Sequence, residues 1–129
     1  MNLYFLSAAI VVFAIGLAHS VLGELLVFRR MRIDGLIPTN GGQLLREPHV
    51  RILWSSWHLV TVLGWCVAAV LIWLASPSNV HLSRSALSYT VAATLLGSSA
   101  LVLIGTLARH PGWAGLLVAA VLVMVGIYV

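Results

Sequence analysis

A chain of 129 residues is the size of one domain, yet 61% of its residues are hydrophobic and only 8% are charged, far from the balance of a water-soluble domain. A soluble fold of this length has no core large enough to hide that much apolar surface. The formal net charge of +4 sits on arginines beside apolar runs, where membrane topology accounts for it, so the expected partner is a lipid bilayer and not nucleic acid.

The first apolar run covers residues 3–28 and exceeds the about 20 residues that cross a hydrocarbon layer of about 30 Å. It has no basic residue before it and no small-residue cleavage site, so it reads as a retained helix. Residues 29–51 follow as a polar connection with Gly35, Pro38, Gly41, Gly42 and Pro48, long enough to wrap over a helical bundle as a lid. A second span is expected over 52–75, a polar turn over 76–85, and a third span over 86–108. Residues 109–111 form a tight turn that makes the last span, 112–129, an antiparallel neighbour of the third. Each span is read as a helix because an isolated backbone in lipid must satisfy its own hydrogen bonds. The expected fold is therefore all-α, an integral membrane four-helix bundle of two hairpins in a single transmembrane domain.

Arg29, Arg30, Arg32, Arg46 and Arg51 flank the first connection and Arg109 lies in the third, whereas the second carries only Arg84. Basic residues stay cytoplasmic, which places both termini outside. Both hairpins then have the same orientation, so there is no inverted repeat of the transporter kind. The lone Cys66 lies mid-span and reads as packing. Gly16, His19 and Gly23 on the first helix, Gly97 and Gly105 on the third, and Gly115, Ala119 and Gly126 on the fourth form small-residue strips. Such strips suit close helix packing within the chain, a homo-oligomer or a larger membrane complex.

Ionisable groups inside apolar runs mark functional sites or interhelical hydrogen bonds, because lipid does not tolerate them. His19, Glu24 and His58 qualify, and all three lie in the half of the membrane nearer the arginines. At about 100° per residue His19 and Glu24 are about 140° apart, so they converge only if the sector around Ser20 faces the interior. Trp54, His58, Thr61 and Trp65 form one stripe of the second helix. Arg51, Glu47, His49, Arg109, His110 and Trp113 surround the layer, and Pro111 favours an extended His110 that aims across the bundle mouth. His81 belongs to the opposite face.

Neutral imidazoles with a carboxylate are ligands for Zn, Fe or Cu, so the sharpest expectation is a metal held by His19, His58 and Glu24. The wider cofactor or ligand pocket adds Arg51, His110 and Trp54. Haem between His19 and His58 is a narrower version. No His pair at helical spacing, Glu-x-x-His or Cys-x-x-Cys supports it. The same residues also suit proton handling or a quinone headgroup. The plainer alternative has the histidines bonding between helices and Glu24 paired with Arg29, Arg30 or Arg51, in a non-catalytic accessory or assembly subunit. A hydrolase triad would need Asp34, the only aspartate, to leave its basic loop, and Asn40-Gly41-Gly42 lacks the lysine of a phosphate loop.

The strings Ala18-His19-Ser20-x-x-Gly23-Glu24, Arg51-x-x-Trp54-x-x-Trp57-His58-x-x-Thr61 and Arg109-His110-Pro111-x-Trp113 resemble those of small bacterial four-helix membrane proteins with no established activity. The resemblance spans most of the chain. It implies a bacterial inner membrane and groups His19, Glu24, His58 and His110 in one motif set, but it transfers no function.

Overall fold

The computed structural model describes residues 1–76 and 84–128, without the side chain of Arg84. His81 and most of the expected connection over 76–85 lie outside the described residues. Four α-helices account for most of the described residues: α1 (Leu3–Leu26), α2 (Glu47–Ala75), α3 (Arg84–Thr106) and α4 (Gly112–Tyr128), with a 3-10 turn at Phe28–Met31. No strand occurs among the described residues, only an isolated bridge between Gly41 and Leu45. The helices α1 and α2, and the Ser85–Thr106 stretch of α3, are long and apolar enough to cross a membrane. The 17 residues of α4 are apolar throughout and rise about 26 Å.

Local chemistry explains where the helices differ from expectation. Pro48, expected to break the chain inside the first connection, instead sits in the first turn of α2, where its fixed φ suits a helix start and its missing N–H costs nothing. The second helix therefore begins at Glu47, and Glu47 and His49 belong to it and not to the loop. The first helix stops short of residue 28 and tightens into the 3-10 turn. The third ends at Thr106, because Leu107 and Ala108 take positive φ values of 53° and 61°. Ala108 then donates its N–H to Leu103 O at 2.8 Å, closing the end as a Schellman-type cap does.

The helices pack in chain order: α1 on α2, α2 on α3, α3 on α4. No comparable pairing joins α1 to α3 or α4 among the described residues, so the arrangement is an open row. The buried positions of α1 are Ala9, Gly16 and Gly23, and those along the C-terminal half of α2 are Thr61, Ala68 and Ala75. Both sets recur at the spacing of a heptad seam, filled here with small residues that let the backbones approach closely. Asn2 donates its N–H to Ala75 O at 2.8 Å, which ties the start of α1 to the end of α2 and fixes the antiparallel register.

Candidate functional site

The seam between α1 and α2 is stitched by donors of α2 that reach main-chain oxygens of α1. The Trp57 indole donates to His19 O at 3.0 Å, Thr61 Oγ1 to Gly16 O at 3.2 Å, and the Trp65 indole to Phe13 O at 3.3 Å. Steps of four on α2 thus meet steps of three on α1. Gly16 and Gly23 make room: a Cβ on Gly16 would lie 2.9 Å from Trp65 Nε1, and one on Gly23 would collide with the Trp57 indole.

Between these stitches and the arginine-bearing end lies a continuous polar chain. The Arg32 guanidinium pairs with Glu24 Oε2. Glu24 Oε1 accepts from the Trp54 indole at 2.6 Å and bonds His58 Nε2 at 2.9 Å. On its other side His58 Nδ1 lies 2.9 Å from Ser20 Oγ, which lies 2.8 Å from Thr61 Oγ1. The Trp54 ring meets His58 edge-on at a centroid distance of 4.8 Å. Fully buried Phe28 closes the top, edge-on to Trp57 and tilted over His58.

Arg32 reaches Glu24 because the connection folds back. Met31 O accepts from both Thr39 N and Asn40 N, at 3.0 and 2.8 Å, and Arg32 Nε donates to Leu36 O at 2.7 Å. The guanidinium is held from behind by its own loop and points its free edge at the carboxylate.

Of the residues expected to form one pocket, Glu24, His58 and Trp54 come together; the rest do not. His19 stacks flat on Trp57, ring centroids 4.4 Å apart and planes within 6°, and its Nε2 is buried without a partner. Its offset from Glu24 around α1 turns it to the other side of Trp57. Arg51 bonds Glu47 Oε1 at 2.7 Å and Gly105 O at 3.3 Å, pinning α2 to α3. His110 Nδ1 accepts the Gly112 N–H at 3.1 Å and belongs to its own turn. Glu24 takes Arg32, not Arg29, Arg30 or Arg51. Among the described residues no three His, Cys, Asp or Glu side chains are grouped to hold a metal ion, so the expected trio of His19, His58 and Glu24 is not assembled. A haem between the histidines is equally unsupported, since both His58 nitrogens are already engaged by Glu24 and Ser20.

Sequence reasoning missed Arg32 and gave Ser20 no role of its own. Ser20 was accessible, since it falls on the stripe of Gly16 and Gly23. The selection of Arg32 depends on the path of the loop, for which no periodic signal exists.

The hydrogen count along this chain has two solutions. If Thr61 donates to Gly16 O, Ser20 donates to Thr61 and must accept from Nδ1–H of His58; Nε2–H serves Glu24, and the ring is an imidazolium facing a carboxylate. If Nδ1 is bare, Ser20 turns to donate to it and Thr61 turns to donate to Ser20. One proton gained or lost at His58 therefore reverses both hydroxyls.

A carboxylate, an imidazole and a hydroxyl in line also form the skeleton of a nucleophilic triad. Here Ser20 lies inside a helix whose backbone N–H groups are already bonded, so among the described residues no paired donors face it to stabilise an oxyanion. No protein-family model, no curated protein and no solved structure matches this chain.

Proposed function

We propose that this protein spans a bacterial inner membrane, arginine-bearing end toward the cytoplasm, and moves protons between that face and the middle of the bilayer along Glu24, His58, Ser20 and Thr61. The observation that carries this reading is the unbroken chain from Arg32 to Gly16 O, with a titratable ring at its centre and hydroxyls that have two consistent directions. From Glu24 to Gly16 it covers about 12 Å of helix rise, which is less than half of the hydrocarbon layer. It therefore serves a site within the membrane and not conduction across it.

At its inner end Thr61 and Gly16 also line an apolar groove of about 170 Å³ with His19 and Val60. A lipid-soluble molecule that takes up protons, of the quinone class, fits that position. Glu24 keeps the imidazole oriented and balances its charge, Arg32 balances Glu24, and Phe28 with the tryptophans excludes lipid and water.

Nitrogen NMR on the full chain in nanodiscs, with isotope-labelled histidine, tests the relay. His58 Nδ1 is expected to be seen in both a protonated and a bare form over the conditions in which the protein is folded, and Ser20→Ala to alter their balance. A ring that stays in one form wherever the protein is folded would reduce the chain to an interhelical clip. A short-chain ubiquinone analogue should perturb the His19 signals; without that, the quinone assignment falls.

One observation favours a second reading, a non-catalytic subunit of a larger assembly. The row is open, and Cβ atoms added at Gly97 and Gly115 would meet nothing within 4 Å, so α3 and α4 have surfaces suited to another helix. Copurifying subunits that survive loss of His58 would support it.

A further inference from the structure

A second cleft, of about 160 Å³, opens where the first turns of α2 meet the α3–α4 turn. Its floor is Pro48, Ile52 and Thr106, and its rim is His49, Arg109 and His110. All three rim residues are exposed.

The rim lacks any negative charge. The chain has three acidic residues: Glu24 is paired with Arg32 and His58, Glu47 is paired with Arg51, and Asp34 lies in the first connection. Arg109 has no acidic partner among the described residues. His110 adds a directed donor. Its Nδ1 accepts the Gly112 N–H, so the ring proton is on Nε2, the nitrogen not held by the turn. Thr106 already donates to Val102 O at 2.7 Å, which leaves its methyl group with Ile52 and Pro48 as an apolar surface below the cations. The start of α2 adds the partial positive charge of a helix N-terminus on the same side.

We propose that this cleft binds the phosphate of an anionic glycerophospholipid from the surrounding leaflet. Arg109 and His110 hold the phosphate, His49 closes the rim, and the apolar floor takes the first carbons of the chains. The cleft stands at the arginine-bearing end of the helices, where headgroups lie if α1, α2 and α3 span the membrane. The inference rests on that membrane reading and not on the Glu24 to Thr61 chain, so the two fail separately.

The test uses the full chain in phosphatidylcholine nanodiscs carrying a small fraction of spin-labelled phosphatidylglycerol or spin-labelled phosphatidylcholine. The motionally restricted fraction of each label gives the preference. Wild-type protein is expected to prefer phosphatidylglycerol, and Arg109→Gln to lower that preference about fivefold, the effect of one well-placed basic residue at an anionic surface. Arg30→Gln, an exposed arginine outside the cleft, should leave most of it. Should Arg109→Gln not fold, His110→Phe removes the ring donor in the same cleft and should also lower the preference. Equal losses in the Arg30 and Arg109 variants would overturn the site in favour of diffuse charge. Displacement of the labelled lipid by inorganic phosphate would overturn the lipid source in favour of a soluble phosphate ester.

Discussion

The pair α1 and α2 and the pair α3 and α4 are both antiparallel and apolar, but their polar side chains work differently. Between α1 and α2, Trp57, Thr61 and Trp65 reach across to carbonyls, and Glu24, Ser20 and His58 join side chain to side chain. In α3 the threonine hydroxyls turn back on their own helix, Thr90 to Ala86 O, Thr94 to Thr90 O and Thr106 to Val102 O. Among the described residues only Ser99 of α3 makes a close bond to α4, at 2.7 Å to Trp113 O, while Tyr89 and Tyr128 meet at 3.4 Å. Lipid tails supply no hydrophobic drive for helices to associate. On the membrane-spanning reading, register in the first pair is therefore set by directed bonds, and in the second by close contact and the tight turn.

The sharpest way to break this contrast is to remove the central acceptor. Glu24→Ala leaves Arg32, Trp54 and His58 without their partner and should cost about 3 kcal/mol, the loss of several charge-assisted bonds. Ser99→Ala, the corresponding cut between α3 and α4, should cost about 0.6 kcal/mol, as one neutral interhelical bond does. Reversible unfolding in bicelles measures both, and equal costs would mean that the polar chain does not hold the first pair together.

Glycines give a difference of similar size through smaller single effects. The Trp57 indole that a Cβ on Gly23 would strike is fixed between His19 and Phe28 and has no room to yield. Gly23→Ala should therefore destabilise by about 2 kcal/mol through overpacking. Gly115 faces open space within the chain, so Gly115→Ala should stabilise the monomer by about 0.5 kcal/mol through helix propensity. If Gly115→Ala instead destabilises the protein as it occurs in native membranes, the α4 surface is covered by a partner helix.

The features legible in the sequence are those with a period. The apolar runs locate the helices, the steps of four and three through Trp54, His58, Thr61 and Trp65 mark one polar-aromatic stripe of α2, and Gly16 with Gly23 mark a close-packing strip of α1; that the two meet is a finding of the fold. The about 140° between His19 and Glu24 makes their convergence depend on the sector around Ser20 facing inward; Ser20 does face α2, yet the two side chains part. Their division was decided by Trp57, whose indole lies against Gly23 and takes the His19 ring as its neighbour. Helix ends were less legible, because Pro48 is a loop signal and a helix-start signal at once. Leu107 and Ala108 adopt a conformation that composition gives no reason to expect. The choice of Arg32 among several nearby arginines depended on a 3-10 turn and two bonds to Met31 O, which are properties of one folded path.

The smallest expected difference between paired variants bears most directly on the proton reading. Thr61→Val keeps the side-chain volume but deletes the hydroxyl that bonds both Ser20 and Gly16 O; Thr94→Val deletes one that only returns to Thr90 O. Thr61→Val should cost about 1 kcal/mol and Thr94→Val close to nothing, since the carbonyl it releases keeps its helical N–H. The informative difference lies in the His58 ring. Without Thr61 as an acceptor, the Ser20 hydroxyl loses the partner that lets it turn away from Nδ1, so the form with a bare Nδ1 gains population at a fixed pH. Nitrogen shifts of labelled His58 should move toward that form in Thr61→Val and stay unchanged in Thr94→Val. Unchanged shifts in both would mean that the ring and the Thr61 hydroxyl are not coupled, and the chain would then end at Ser20, one helical turn short of the groove.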